Sequence, residues 1–295
     1  MTAAQPAPRT PRRPLRRMIL ARTAALPVLV TLLNGVAGFA AIHYATKAGL
    51  HTSTAEELAK KSMNLSIAAW LIFAAMFFDA LDGRIARMTR QATDFGAQLD
   101  SLCDAVSFGV APAVLMVHSV AVTREVEDFE IFLAHPSLGK VVMAIAVIYA
   151  CCAVLRLARF NVENAPDLLH HLSFRGLPSP AAAALVAAMV LLFDMLLDLE
   201  KGRWLKVTIG VALPAFTAVA AGLMVSRFRY PHLINRFLAG KKRFGTIVMA
   251  LVLLVAGLMF RRQMLALAAL AYAASGPAAA FWKKVRPRRE AQARR

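Results

Sequence analysis

Residues 79–104 read DALDGRIARMTRQATDFGAQLDSLCD and join the end of one apolar segment to the beginning of the next. This stretch contains five of the 17 acidic residues of the chain. Asp79 and Asp82 are three positions apart, and Asp100 and Asp104 are four positions apart, so each pair lies on one face of a helix. If the two helices are antiparallel neighbours, the spacing predicts that four carboxylates converge at one end of a helical bundle.

The residue types in this cluster favour a site for hard cations. Carboxylate oxygens without His or Cys suit Mg²⁺, Mn²⁺ or Ca²⁺ rather than zinc, and four aspartates can hold two such ions. Two ions commonly activate one oxygen and stabilise another during phosphoryl displacement. The alternative is that the carboxylates pair with Arg84, Arg87 or Arg90. We interpret Asp94, the fifth acid, as a solvated loop residue or a helix cap.

The composition of the chain indicates an integral membrane protein. Hydrophobic residues make up 59% of the 295 residues and the mean hydropathy is +0.56, whereas a soluble domain is about 45–50% apolar. The 35 Lys and Arg against 17 Asp and Glu give a formal charge of +18. Such a charge suggests nucleic acid or an anionic membrane surface, and the apolar content favours membrane lipids. We expect no nucleic-acid partner.

Apolar segments of membrane-spanning length, about 20 residues each, recur along the chain. Backbone groups find no hydrogen-bonding partner in lipid, so every span must be helical. We therefore predict an all-α polytopic bundle of about eight transmembrane helices. The predicted spans are residues 24–46, 65–85, 97–120, 138–158, 178–198, 205–225, 245–260 and 263–282.

The distribution of basic residues predicts the orientation of these spans. Lys and Arg concentrate in both terminal segments and in the connections on one side, whereas Glu125, Glu127 and Asp128 lie in a connection on the other side. By the positive-inside rule, both termini and the aspartate cluster face the cytoplasm, in the inner cell membrane. We expect a basic tail, a membrane domain, a basic loop with two additional helices, and a second basic tail, at residues 1–22, 23–230, 231–282 and 283–295.

The aspartate stretch also resembles a family signature. The pattern Asp79-x2-Asp82-Gly83-x2-Ala86-Arg87-x8-Gly96-x3-Asp100-x3-Asp104 is similar at every fixed position to that of the CDP-alcohol phosphotransferase family. The resemblance implies a membrane core of six helices and a divalent metal, Mg²⁺ or Mn²⁺ with two ions, held by the four aspartates. It also implies that the CDP diphosphate is bound by Thr31, Asn34, Asp82, Gly83, Ala86, Arg87 and Gly96.

The first span departs from the family pattern. Members often have Leu-Pro-Asn where residues 26–28 of this chain read Leu-Pro-Val. If that asparagine normally binds the nucleotide, Thr31 and Asn34 must serve in its place. In the same span, Gly35 and Gly38 are expected to permit close helix packing rather than to bind a ligand.

Four further segments resemble the phosphatidylserine synthase branch of the family. They are residues 99–112, 155–162, 174–183 and 223–230. The resemblance implies transfer of the phosphatidyl group of CDP-diacylglycerol to L-serine, with Asp104 as the base, and it suggests a homodimer. The acceptor or phosphate site is predicted at Arg156, Arg159, Asn161 and Arg175. Anchoring to lipid headgroups is the alternative for Arg156 and Arg159.

Three other functions fit parts of the sequence. A sister enzyme would use another acceptor, such as glycerol 3-phosphate, inositol phosphate or choline. A cation-coupled transporter would also carry intramembrane carboxylates, but it leaves the glycine, alanine and arginine positions of the signature unexplained. A polybasic membrane scaffold would leave the aspartates without a role.

Overall fold

Helices account for nearly all of the chain that the computed structural model describes. The described residues are 15–49, 55–89, 94–124, 136–163, 176–198, 203–228, 230 and 261–292. The helices are α1 (Leu15–Ala48), α2 (Ala55–Thr89), α3 (Asp94–Asp104), a π-helical segment (Ala105–Val110), α4 (Ala111–Arg124), α5 (Pro136–Glu163), α6 (Ser179–Asp198), α7 (Arg203–Val225) and α8 (Arg261–Gln292). These ranges contain no β-strand, which confirms the all-α prediction.

Five helical stretches are long and apolar enough to cross a membrane. They are Pro27–Ala48, Ala59–Ile85, Phe95–Thr123, Ser137–Val162 and Arg262–Trp282. Two shorter apolar helices, Ser179–Met195 and Val211–Val225, match two more predicted spans. The predicted polytopic membrane bundle is therefore confirmed. The predicted span 245–260 lies outside the described residues, so the number eight stays a prediction.

Several helices extend beyond the predicted spans. α1 begins at Leu15 and α8 ends at Gln292, so both reach into the segments predicted as basic tails. α2 begins at Ala55, ahead of the predicted start at residue 65. The added residues are rich in Ala, Glu, Lys and Arg, which favour helix, so helical structure continues where apolar character stops.

α6 forms the centre of the bundle. It packs against α2, α4, α7 and α8, and the buried residues on it include Ala182, Ala183 and an unbroken run from Leu185 to Leu191. A helix that is apolar all round is stable only when neighbours cover every face. The position of α6 follows from this uniformly apolar sequence.

Gly35 and Gly38 allow α1 to pack closely against α3 and the π-helical segment that follows it. A Cβ on Gly35 would lie 2.9 Å from Cys103 Sγ, and one on Gly38 would lie 2.7 Å from Ser107 Cα. Ser107, in the π-helical segment, donates a hydrogen bond to the Asn34 carbonyl at 2.9 Å. The close-packing role predicted for Gly35 and Gly38 is confirmed, and the contact places Asn34 beside α3.

Backbone hydrogen bonds join the residues just before α6 to the last turn of α7 and the residues after it. Gly176 has φ +90, and its N–H donates to the Phe228 carbonyl at 2.8 Å. Leu177 N–H donates to the Leu223 carbonyl at 2.9 Å. A side chain at Gly176 would overlap the Met224 carbonyl, so only glycine fits this turn. These contacts set the position at which α6 begins, near Ser179.

Candidate metal centre

Three of the predicted metal-binding aspartates meet between α2 and α3. Asp79, Asp82 and Asp100 each place a carboxylate oxygen within 4.8 Å of the other two. The carboxylates of the two helices therefore converge at this end, as the spacing of the aspartates predicts, and both helices pack against α1. Such a group of oxygens suits a hard divalent cation.

Asp104 lies beside this group, one helical turn beyond Asp100. Asn34 Nδ2 donates a hydrogen bond to Asp104 Oδ1 at 2.9 Å. The Asp104 carboxylate also interacts electrostatically with Asp79 and Asp100. Asp104 is not part of the group of three, and one of its oxygens is directed to α1 by Asn34. Of the four carboxylates predicted to converge, three therefore lie close together, and the fourth, that of Asp104, lies next to them.

Unsatisfied carboxylate oxygens show that the group fits a cation. Asp82 is only 5% exposed, and Asp82 Oδ2 and Asp100 Oδ1 are buried without a hydrogen-bond partner. Burial of an unpaired carboxylate is costly, and neighbouring carboxylates also repel one another. A divalent cation would pair with these oxygens and remove the repulsion. The donor set contains oxygen alone, which suits Mg²⁺ or Mn²⁺.

Pairing with arginine is not seen among the described side chains. Arg84 is exposed, and no salt bridge joins a described Lys or Arg to any of the four aspartates. The side chains of Arg87 and Arg90 lie outside the described residues, so that part of the alternative stays untested. The side chain of Asp94 is also outside them, although α3 begins at this residue.

The residues predicted to bind the nucleotide lie next to the aspartates where they are described. Thr31 and Asn34 are buried on α1, Thr31 interacts with Asp82, and Asn34 Oδ1 has no hydrogen-bond partner. Gly83 faces open space, because no described atom lies within 4 Å of a Cβ built there. Gly96 lies on α3, two residues after its start.

Two of the predicted nucleotide-binding residues can be placed only on their helix. Ala86 and Arg87 lie on α2, and their side chains are outside the described part of the chain. CDP binding by the set of seven residues stays a prediction.

The predicted acceptor residues divide into two groups. Arg156 is half-buried, donates to Ser179 Oγ at 2.7 Å, and interacts electrostatically with Asp104. Asn161 donates to Ser101 Oγ at 2.8 Å, one residue after Asp100. Both side chains therefore reach the aspartate region, and Arg156 is directed into the bundle rather than toward headgroups.

The structure does not test the other two predicted acceptor residues. Arg159 is exposed at the end of α5. Arg175 lies outside the described residues, immediately before the fixed turn at Gly176. Their acceptor roles stay predictions.

Some neighbours of the site were absent from the predicted set. Ser179 lies within the segment 174–183 that resembles the phosphatidylserine synthase branch, so the sequence contained a signal for it. Ser101 lies between Asp100 and Asp104 and could have been found by helix periodicity.

Comparison with known proteins supports the interpretation of the signature. Residues 24–221 match the family model of CDP-alcohol phosphatidyltransferase. The chain is 35% identical over 207 residues to the CDP-diacylglycerol–serine O-phosphatidyltransferase of Helicobacter pylori strain J99, covering 70% of this chain and 75% of that protein. It is 29% identical over 207 residues to the Bacillus subtilis protein of the same name, covering 70% of this chain and 90% of that protein.

An archaeal protein is also similar in sequence to this chain. The chain is 36% identical over 167 residues to the CDP-diacylglycerol–serine O-phosphatidyltransferase of Methanocaldococcus jannaschii, covering 56% of this chain and 64% of that protein. The region that matches the family model includes α1 from residue 24 onward, the four aspartates and all of α6, and it ends before α8. This integral membrane protein therefore belongs to the CDP-alcohol phosphatidyltransferase family.

Proposed function

We propose that this protein transfers the phosphatidyl group of CDP-diacylglycerol to L-serine, forming phosphatidylserine and releasing CMP. Bacterial and archaeal relatives that carry the name of this activity support the choice of substrates. The single observation that carries the proposal is the meeting of Asp79, Asp82 and Asp100, with two buried carboxylate oxygens left unsatisfied.

The aspartates would hold divalent cations, which the family generally requires. Asp79, Asp82 and Asp100, together with Asp104, would hold Mg²⁺ or Mn²⁺, with two ions in the complete site. When bound, such cations neutralise the diphosphate and make the phosphorus that carries the lipid more electrophilic. The open space beside Gly83 would allow the CDP diphosphate to approach the α2 backbone closely.

Asp104 is the residue that we assign as the base. Asn34 donates to Oδ1 and holds the carboxylate in place, which leaves Oδ2 to accept the proton of the serine hydroxyl. The serine oxygen then forms a bond to the lipid-bearing phosphorus, and the bond from that phosphorus to CMP breaks, in line with the attack. Orientation of the reactants supplies a large part of the rate increase in such displacements.

Arg156 would bind the acceptor. Its guanidinium lies near Asp104, so a group that it binds is next to the proposed base. Arginine binds a carboxylate through two parallel hydrogen bonds, and the L-serine carboxylate offers both acceptors. Arg159, Asn161 and Arg175 complete the proposed acceptor or phosphate site.

The site would lie at the cytoplasmic face of the inner cell membrane. Asp79 and Asp82 are near the end of the candidate span Ala59–Ile85, and Asp100 and Asp104 are near the beginning of Phe95–Thr123. The aspartates therefore share one membrane face, and the distribution of basic residues favours the cytoplasmic one. A homodimer is the expected assembly, on the family resemblance.

The proposal is tested by lipid synthesis with purified protein. Radiolabelled L-serine and CDP-diacylglycerol in mixed micelles should give labelled phosphatidylserine and CMP in equal amounts. EDTA should abolish both products, and Mg²⁺ or Mn²⁺ should restore them, because the aspartates need a cation between them.

Other acceptors serve as the comparison. Glycerol 3-phosphate, inositol phosphate and choline should release little CMP under the same conditions. CMP release with one of these alcohols and none with serine would contradict the assignment of the acceptor. Metal flux in liposomes without any requirement for CDP-diacylglycerol would instead indicate a transporter.

A further inference from the structure

The helix that carries Asp100 and Asp104 does not continue into α4 as a regular α-helix. Ala105–Val110 form a π-helical segment that begins directly after Asp104, and the Ala111 N–H donates to the Val106 carbonyl, five residues back. An α-helical bond would span four residues. Single π-helical turns are rare, and they occur frequently at functional sites. This segment separates the two aspartates of α3 from the regular helix α4.

Pro112 explains why the α-helix is interrupted at this position. In a continuous α-helix the residue at 112 would donate to the Phe108 carbonyl, four residues earlier, but proline has no N–H and its ring clashes with that carbonyl. A turn of five residues moves the carbonyl away from the ring. The Phe108 carbonyl is therefore left without its α-helical donor.

Tyr149 of α5 donates to that carbonyl instead. Its hydroxyl lies 3.2 Å from the Phe108 oxygen, and both side chains are fully buried. α5 packs on the π-helical segment, and a Cβ built on Gly109 would lie only 3.4 Å from Ala153 Cβ. The hydroxyl of Tyr149 is thus held against the segment by the packing of α5.

The π-helical segment also contacts the residue that fixes Asp104. Ser107 donates to the Asn34 carbonyl at 2.9 Å, and Asn34 Nδ2 donates to Asp104 Oδ1 at 2.9 Å. One extra residue in a turn rotates the preceding helix by about 100° around its axis relative to the following helix. The segment therefore decides the direction in which Asp100 and Asp104 face.

We propose that Tyr149 is a positioning residue, whose hydroxyl holds the π-helical segment in the geometry that directs Asp100 and Asp104 into the metal centre. The inference rests on the proposed function, in which both aspartates hold cations and Asp104 is the base. Without the hydroxyl, the buried Phe108 carbonyl loses its side-chain donor, and this unfavourable state favours a shift of the segment. Such a shift moves α3 and its carboxylates.

Tyr149→Phe tests the proposal, because it keeps the buried ring and removes only the hydroxyl. With saturating Mn²⁺, we expect the kcat for phosphatidylserine formation to fall about three- to tenfold, since a small displacement of the base slows the reaction. The KM values for L-serine and CDP-diacylglycerol should change less than about twofold, as for a loss confined to the chemical step.

Tyr230→Phe is the matched control. The Tyr230 side chain is also buried, and its hydroxyl donates to a backbone carbonyl, that of Ala273, at 3.1 Å. Both variants lose one buried hydrogen bond of the same kind, so both should lower the Tm by a similar amount. Only Tyr149→Phe should lower kcat. A lower Tm with unchanged kcat in both variants would show that Tyr149 has a structural role alone.

Mn²⁺ binding provides a readout that does not depend on turnover. We expect the Kd for Mn²⁺, measured by electron paramagnetic resonance of the free ion, to rise about threefold or more in Tyr149→Phe and to stay unchanged in Tyr230→Phe. An unchanged Kd in Tyr149→Phe overturns the inference, as does an unchanged kcat when the wild type is active.

Failure of the inference differs from failure of the proposed function. Wild-type protein that incorporates no serine contradicts the proposed function, whereas a higher Kd for Mn²⁺ in Tyr149→Phe would still support the positioning of the aspartates by Tyr149. Active wild-type protein, with kcat and Kd unchanged in Tyr149→Phe, overturns only the assignment of Tyr149.

Discussion

At the scale of single residues, Asp104 differs from the other three aspartates in the side chain that it contacts. Asp79, Asp82 and Asp100 face one another, whereas Asp104 accepts a hydrogen bond from Asn34. Asn34 thus fixes one oxygen, and in the proposed function the other oxygen accepts the serine proton. Under the proposed function, four residues of one type therefore serve two roles: all four hold the cations, and Asp104 is also the base, because its partner differs.

Asp104→Asn tests this division of roles. Asparagine keeps the shape of the side chain and an oxygen for the Asn34 hydrogen bond, but it cannot accept the serine proton. We expect kcat for CMP release to fall by about 10²- to 10⁴-fold, with CDP-diacylglycerol binding retained. Both are measured on purified protein, by CMP assay and by equilibrium binding. Normal turnover in this variant would show that another group is the base.

Gly83 supplies a second prediction at this scale. A side chain there would enter open space, so Gly83→Leu should leave the Tm unchanged or raise it slightly, since leucine favours helix. If the CDP diphosphate occupies that space, the KM for CDP-diacylglycerol should rise tenfold or more, about 1.4 kcal/mol or more in binding. Thermal unfolding and steady-state kinetics on the same sample separate the two effects. An unchanged KM would place the nucleotide elsewhere.

At the scale of helices, the site depends on the contact of α1 with α3 and with the π-helical segment that follows α3. Gly38 lies against Ser107, and Ser107 donates to the carbonyl of Asn34. Asn34 in turn donates to Asp104. Packing between two helices therefore sets the position of a proposed catalytic carboxylate.

Gly38→Ala should disturb this contact. The added Cβ would lie 2.7 Å from Ser107 Cα, a backbone atom, so α1 or the π-helical segment must move. We expect a loss of about 1–3 kcal/mol in the free energy of unfolding, together with lower kcat. Gly222→Ala on α7 is the matched control, because a Cβ there meets no described atom within 4 Å. Equal stability of the two variants would contradict the packing argument.

At the scale of the whole molecule, the aspartate cluster links metal binding to stability. The unfolded chain lacks the convergence of Asp79, Asp82 and Asp100, so a cation that needs all three binds only the folded protein. Folding that brings unpaired carboxylates together has a cost, which the cation offsets. We therefore expect the membrane bundle to be most stable with the cation bound.

Addition of metal to EDTA-treated protein tests this linkage. Mg²⁺ or Mn²⁺ should raise the Tm, with a stabilisation of about 2.7 kcal/mol at a concentration 100 times the Kd. The double variant Asp79→Asn, Asp100→Asn should be less sensitive, because it lacks two of the ligand carboxylates. Thermal unfolding in detergent measures both. An equal Tm shift in wild type and the double variant would show that the metal binds elsewhere.

The sequence itself determined the properties that depend on local pattern. Hydropathy and length predicted helical spans, and the spacing of Asp79, Asp82, Asp100 and Asp104 predicted two acidic faces, because helix geometry relates nearby residues directly. Helix ends were predicted less well, since helical structure continues past the apolar residues.

Only the tertiary structure decided which side chains complete the site. Asn34 and Asp104 are 70 residues apart in sequence, and Arg156 and Ser179 are 23 apart. Such pairs depend on the packing of whole helices, which the periodicity within one segment does not encode. The pattern in the chain therefore predicted the carboxylates, and the packing of α1 against α3 decided the partner of Asp104.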